Sequence, residues 1–234
     1  MNKKQFISII ALLLVFSLAL TGFAYEEEAG EEAAFANWDG AWNSITFSMS
    51  TDQTVIDALY AAAEATGVDG DAFYSEYSSV MLQPLAAVDF DGDTMTIYNN
   101  VYDENGDPTG EAVFEGTYAL TDSENTISLF ELQDEVAEDS PENNFRYLYL
   151  SDINLVDGAL AFQMIFSADG SVPAITWLPT MVDCYADSES IAEYLVNFTS
   201  SEQAFAASES YNEDSETYLT EMSDHLMPIA PLFE

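Results

Sequence analysis

Apolar residues along the chain follow two different periods. Between Asp52 and Gly67, Val55, Ile56, Leu59, Tyr60 and Ala63 recur three or four apart, the spacing of one helix face. Asp52 stands where a capping side chain belongs. From Gly70 or Asp71, Phe73, Tyr77 and Val80 share a face and predict a second helix that Pro84 ends. At Leu85 the period changes to two. Ala87–Phe90 reads as a short strand and Asp91-Gly92-Asp93 as a turn. Met95, Ile97 and Asn99 then alternate with Thr94, Thr96 and Tyr98. Asn105-Gly106 and Thr109-Gly110 bracket a hairpin-like connection. Ala112–Leu120, Thr126–Gln133, Phe145–Asp152 and Ala159–Phe166 continue the series, with an acidic loop before Asn144.

About six strands with short polar turns argue a meander. Closure into a barrel protects the edges of such a meander at least cost. Beyond it, Trp177-Leu178-Pro179 starts an irregular segment. Asp187 or Ser188 caps a third helix, with Ile191, Leu195 and Phe198 on one face. A more polar tail follows Thr199. In it Tyr211, Tyr218, Leu219, Met222 and Leu226 are helically spaced until Pro228 and Pro231. No internal repeat is visible.

Ahead of these elements lies Phe35–Ser44, which sets Trp38 and Trp42 four residues apart around Asp39-Gly40. Two tryptophans this close mark a packed anchor, and the glycine permits a tight turn. Ile45 and Phe47 extend the stretch as an alternating, strand-like piece. Tyr25–Ala36 is an acidic, Ala-rich lead-in without period. Residues 1–24 read as a signal peptide: Lys3 and Lys4 are basic, Phe6–Leu20 is apolar, and Thr21-Gly22-Phe23-Ala24 carries small residues for cleavage. The apolar run is short for a membrane span. The expectation is a secreted, extracytoplasmic protein with no stable membrane insertion after cleavage.

Charge sharpens that expectation. Asp and Glu number 43 against 3 Lys and Arg, for a formal net charge of −40. A field of this sign repels nucleic acid and anionic membranes and attracts cations. With 48% hydrophobic and 13% aromatic residues, the chain still has the material for a sizeable core, so this is not the charge of a disordered segment. Cys184 stands alone and reads as a small core residue.

Candidate chemistry is sparse. Asp89, Asp91 and Asp93 form a dense carboxylate turn. Asp103-x-Asn105-x-Asp107-x-Thr109-x-Glu111 begins like a calcium loop, but Pro108 and Phe114 break the pattern. The polar-turn reading outweighs a strong calcium site there; composition leaves weak, salt-sensitive calcium binding open. Zinc wants His, Cys or a mix with carboxylate, and His225 is the single histidine, in the tail. No Gly-x-Ser-x-Gly elbow, dinucleotide fingerprint or P-loop is present, and 43 acids make a carboxylate pair uninformative. The chain is expected not to be an enzyme, with a carboxylate-pair hydrolase as a minor third reading. Arg146, the one basic residue besides His225 once Lys3 and Lys4 leave, is expected to pin the barrel end near Trp42 or Asp39. The minority reading of Arg146 is an anion-binding group inside a cavity.

Trp38-Asp39-Gly40-Ala41-Trp42-Asn43-Ser44 resembles the Trp-Asp-Gly-x-Trp-x-Ser opening of the ZinT (YodA) family of extracytoplasmic zinc-binding proteins. The order of later features agrees: two helices, Asp91-Gly92, Arg146-Tyr147-Leu148, Ser151-Asp152, Trp177–Thr180 and the helix from Ser188. The resemblance implies a mainly β chain with flanking helices: a calycin, lipocalin-like antiparallel β-barrel over 37–199, followed by a C-terminal helical tail over 200–234. It also implies zinc or a similar divalent cation, and a metal-uptake transporter as partner. The family's site resembles three histidines, whose positions here fall on Ile153, Ala161 and Gln163. A tight zinc site of the family type is therefore not expected, and any cation binding is expected to be weak and through carboxylates. The alternative is a metal-free barrel that binds a small apolar ligand or acts as an interaction module.

Overall fold

The computed structural model describes residues 33–66, 69–71, 74, 85–124, 126–156, 158–171, 180–199 and 228–233. The expected signal peptide, most of the expected lead-in, the helix expected up to Pro84 beyond Tyr74, Trp177–Pro179 and most of the expected C-terminal tail with His225 lie outside the described residues.

The chain enters through a turn closed by Trp38 N–H to Phe35 O at 2.8 Å, and then forms strand β1 (Gly40–Ser44). Gly40 has φ +115, a conformation L side chains rarely adopt, so the turn into β1 depends on glycine. Helix α1 (Ile45–Thr51) follows directly. The strand-like continuation expected at Ile45 and Phe47 is thus corrected. Ile45, Thr46 and Met49 are buried on one helical face, while the Ser50 and Thr51 hydroxyls donate back to Phe47 O at 2.9 and 2.7 Å. Helix α2 (Gln53–Thr66) matches the expected helix, and its face of Val55, Leu59 and Ala63 is fully buried.

The meander then unfolds as β2 (Ala87–Asp91), β3 (Thr94–Tyr98), β4 (Ala112–Glu124), β5 (Ile127–Leu132), β6 (Tyr147–Ser151), β7 (Asn154–Val156) and β8 (Ala159–Ser167). A 3₁₀ turn at Pro141–Phe145 precedes β6, which therefore starts later than the sequence pattern suggests. Alternation holds where it was read: Met95 and Ile97 in β3, and Leu148 and Leu150 in β6, are buried while their neighbours are half-exposed. Strand β9 (Thr180–Asp183) was not anticipated. Helix α3 (Ser188–Thr199) was, and Asp187 caps it by accepting Ser190 N–H at 2.8 Å.

All pairings are antiparallel, and the strands run β6-β5-β4-β3-β2-β1-β9-β8, with β6 pairing β8 to close the ring. Both β6 and β7 pair with the same side of β8. Leu150 faces Met164 and Asn154 faces Ala161, so Ser151, Asp152 and Ile153 oppose only Phe162 and Gln163. Strands β6 and β7 are therefore one strand broken by a bulge. The result is a closed eight-stranded antiparallel barrel accompanied, among the described residues, by helices α1–α3, as expected for a calycin.

The core is aromatic. Phe35 is fully buried, with its ring centre 4.5 Å from Phe90, 4.7 Å from Phe130 and 5.6 Å from Tyr118. It falls two residues before the expected start of the barrel, yet belongs to the core. At the other end of the chain Ile229 is fully buried in the same cluster, against which Leu232 and Phe233 pack.

Candidate functional site

Three sets of residues were singled out from the sequence: the tryptophan anchor with Arg146, the acidic turns, and the positions where the family resemblance places a metal. The anchor is built as a fastening between strands. Trp42 Nε1 donates to Trp38 O at 2.8 Å, which ties the Trp42 ring to the backbone of Trp38. Trp38 Nε1 donates to Ser151 O at 2.9 Å, across 113 residues of sequence. Edge-on contacts complete it, Trp38 on Phe130 at 5.5 Å and Trp42 on Phe162 at 4.8 Å. Asp39 is exposed at the turn beside Gly40.

Arg146 takes no part in this. It is exposed, and its guanidinium lies over the neighbouring Tyr147 ring, 6.0 Å from the centroid. The expected partnership with Trp42 or Asp39 is corrected, because the tryptophans are satisfied by two backbone carbonyls and by phenylalanines. The guanidinium instead covers the aromatic face of the next residue in sequence.

The acidic turns divide into two groups. In the first, Asp103 Oδ1 accepts Asn105 N–H at 2.8 Å and Asp107 N–H at 3.0 Å, and Oδ2 accepts Asn105 Nδ2 at 3.2 Å. These donors, led by the Asp107 amide, hold the Asp103 carboxyl below the usual carboxylate range. Its oxygens close a local turn around Gly106 (φ +79), as the polar-turn reading requires. In the second group, Asp93 Oδ1 accepts Ala34 N–H at 2.5 Å and Asp91 is exposed. Asp89 is half-buried on β2, opposite Ala41 and Thr96. Burial, with Asp91 and Asp39 nearby, raises its carboxyl above the usual range. Among the described residues no group of three or more His, Cys, Asp or Glu is arranged to hold a metal ion.

Cys184 is buried with Ala87 and Tyr102, and burial pushes its thiol up to about 11, the behaviour of an inert core cysteine. Tyr102 is held over it by Asn43, which accepts Tyr102 N–H at 2.8 Å and donates to Tyr102 O at 3.3 Å. A separate open cleft of about 510 Å³ beside α2 is lined by Asp57, Tyr60, Ala61, Glu64, Asp69 and Gly70. Its acidic lining is unlike that of an apolar-ligand pocket.

The three positions to which the resemblance assigns histidines lie near one another in the strand register. Ile153 lies in the β6–β7 bulge, Gln163 is one of the two β8 residues facing that bulge, and Ala161 is the rung beyond it, opposite Asn154. Ala161 is 2% exposed, paired with Asn154 on one side and Val182 on the other. Gln163 N–H donates to Ser151 Oγ at 2.9 Å. Isoleucine and alanine offer no donor atom to zinc and glutamine only a neutral amide, so this set does not fit the ion.

No family model matches the chain, and no curated protein sequence matches it. Solved structures do. The Zn(II)-bound ZinT-like domain of Streptococcus pneumoniae AdcA aligns at 16% identity over 74% of this chain and 94% of that one, with a TM-score of 0.47. Zn(II)-bound AdcA from Streptococcus pneumoniae aligns at 17% identity over 74% of this chain and 37% of that one, with a TM-score of 0.50. The second likeness is one of fold: the chain has the ZinT-like calycin barrel that its opening motif leads one to expect.

Proposed function

We propose that this chain is a secreted binding protein on a ZinT-like barrel, associated with divalent cations but lacking the family's three-histidine site. It is not an enzyme in this reading. One observation supports it: Ile153, Ala161 and Gln163, the positions the resemblance assigns to histidines, lie close in the strand register and none supplies a ligand that zinc prefers. Cations are held weakly, through the carboxylates of Asp89, Asp91, Asp93, Asp103 and Asp107, drawn by a net charge of −40. Lys3, Lys4 and the apolar run to Leu20 support export. The family resemblance supports a metal-uptake transporter as partner.

An interaction module is the second reading. Leu155 and Leu160 form a cross-strand pair at the tip of the β7–β8 hairpin and are 70% and 39% exposed. An apolar ligand inside the barrel is less favoured, because the aromatic rings there pack on one another.

Calorimetric titration of the full chain with zinc and with calcium tests the proposal. The expected result is weak, salt-sensitive binding, with Kd near or above ~100 μM, the range of low-affinity oxygen sites. Micromolar or tighter zinc binding overturns the absence of a family-type site. No heat with either ion favours the interaction module.

A further inference from the structure

We propose that the β3–β4 connection, residues 99–111, is a strap that lies closed on the outer face of the barrel and opens as a unit of its own, uncovering Cys184 while the barrel stays folded. This goes beyond the cation-binding reading and does not depend on it.

Ala41 and Asn43 of β1 pair with Asp89 and Ala87 of β2, and Ala87 pairs with Tyr98 of β3. Partners in register share a face of the sheet. Trp42 and Val88, one residue along, belong to the main core inside the barrel, so Ala41, Asn43, Ala87 and Tyr98 point outward. The strap covers this apolar exterior. Its Tyr102 is 7% exposed and forms with Ala87 and Cys184 a second buried cluster, separate from the main core, against which Ala41 and Tyr98 pack. The Tyr98 and Tyr102 rings meet edge-on at 5.4 Å.

The strap is a hairpin closed on itself. Asn99 N–H donates to Glu111 O at 3.1 Å, and Glu111 N–H to Asn99 Oδ1 at 2.9 Å. Thr109 donates to Val101 O through its amide at 3.1 Å and its hydroxyl at 2.6 Å. Tyr102 and Pro108 form an antiparallel bridge, and Asp103 N–H donates to Asp107 O at 2.9 Å. Asn43 latches this hairpin to β1 with the two bonds that clamp the Tyr102 backbone, at 2.8 and 3.3 Å. At the tip, Gly106 (φ +79) lies against the Tyr185 ring. A segment bonded largely to itself, with a small cluster that the sheet divides from the main core, has the makings of a local opening unit. The strap also carries Asp103, Glu104, Asp107 and Glu111 onto a face that holds Asp89, so like charges oppose its closure. While it is closed, burial first, then Asp183 and Asp89, disfavour the thiolate of Cys184.

Thiol labelling of the full chain tests this, because Cys184 is its only cysteine. The probe is dithiodipyridine, a neutral disulfide that a net charge of −40 does not repel. The Cys184 thiolate attacks one sulfur, the S–S bond breaks, and thiopyridine leaves and is read by its absorbance. Excess EDTA is present, so that no cation at Asp103 or Asp107 contributes. Labelling is expected to be far slower than in the urea-unfolded chain, and nearly flat in urea below the unfolding transition, since opening a strap exposes little surface. Asn43→Ala, which removes two hydrogen bonds, is expected to speed it about tenfold. The amides of Asn99, Asp103, Thr109 and Glu111 then exchange faster together, while those of β5 and β6 do not change. Gly106→Ala, at the tip and outside the barrel, is expected to speed labelling several-fold through its positive φ. A rate that climbs with urea along the slope of global unfolding overturns the proposal, as does labelling as fast as in the unfolded chain. So does Asn43→Ala with unchanged labelling and exchange. If Asn43→Ala fails to fold, the urea slope of the unmodified protein and Gly106→Ala still decide.

Discussion

Asp52 joins helices α1, α2 and α3, and its removal is expected to show how much of their packing depends on one side chain. Its backbone N–H donates to Ser48 O at 2.9 Å and ends α1. Its Oδ1 accepts Thr54 N–H at 2.9 Å and caps α2. Its Oδ2 accepts the hydroxyl of Ser188, the first residue of α3, at 2.5 Å. Asp52→Ala leaves the backbone bond and removes the other two. Loss of an N-cap costs about 1 kcal/mol, within a range of roughly 0.5–2. Loss of a hydroxyl–carboxylate bond between half-buried groups adds about 1–1.5 kcal/mol. The sum of about 2–2.5 kcal/mol corresponds to a fall in melting temperature of about 5–10 °C for a domain of this size. Urea unfolding of Asp52→Ala, Ser188→Ala and the double variant separates the terms. Ser188→Ala is expected to cost about 1 kcal/mol, and the cycle to show coupling of similar size between the two residues. A loss below about 0.5 kcal/mol for Asp52→Ala, or additive single variants, would refute the junction.

Two further outcomes follow from the core and from β2. Phe35→Ala removes a fully buried ring that touches Phe90, Tyr118 and Phe130, and is expected to cost about 3–5 kcal/mol in denaturant unfolding. A loss under about 1 kcal/mol would mean that Phe35 is not a core residue. Asp89 is a half-buried carboxyl whose folded-state proton affinity is raised by burial first and by Asp91 and Asp39 second. Its ionised form therefore burdens the folded state at neutral pH, and the burden is relieved as pH falls through the folded pKa toward the unfolded value. Asp89→Asn is expected to raise the melting temperature at about pH 7, with the gain shrinking toward pH 4. A constant or reversed difference between the two pH values contradicts this.

How much of this was legible in the sequence depends on whether a local pattern has one physical solution. Met95 and Ile97 in β3, and Leu148 and Leu150 in β6, alternate because each strand buries one face, so their period can be read directly. The segment after Ser44 has two solutions. Ile45, Phe47 and Met49 are spaced by two as in a strand, yet Ile45 and Met49 are also one helical turn apart, and burial selects the helix. Strand β9 is four residues long, and it is a strand because β1 and β8 pair with its two edges. Arg146 gave no direction at all, since a single charge does not say which of several rings it will cover. The acidic turns are hard to read for a similar reason: a count of carboxylates does not reveal that Asp103 is engaged by the amides of its own turn.

These difficulties share a location in the barrel. The run from β1 through β6 is built of neighbours in sequence, paired hairpin by hairpin, and its periodicity carries it. The ring is closed by β9, which lies between β1 and β8, and by the bulged β6–β7 strand against β8. Those pieces are short, and their partners are distant or interrupted, so no window of sequence contains the reason they pair. The opening motif does reach them. Trp38 bonds Ser151 at the bulge, and Trp42 packs edge-on against Phe162 on the facing strand. The two tryptophans, placed four residues apart by a turn that needs Gly40, thus touch both sides of the closing seam from the far end of the chain. A motif that is local in sequence acts on a contact that is not. That physical role explains why Trp38–Ser44 is diagnostic of the scaffold while remaining silent about the chemistry of Ile153, Ala161 and Gln163 a few ångströms of strand away.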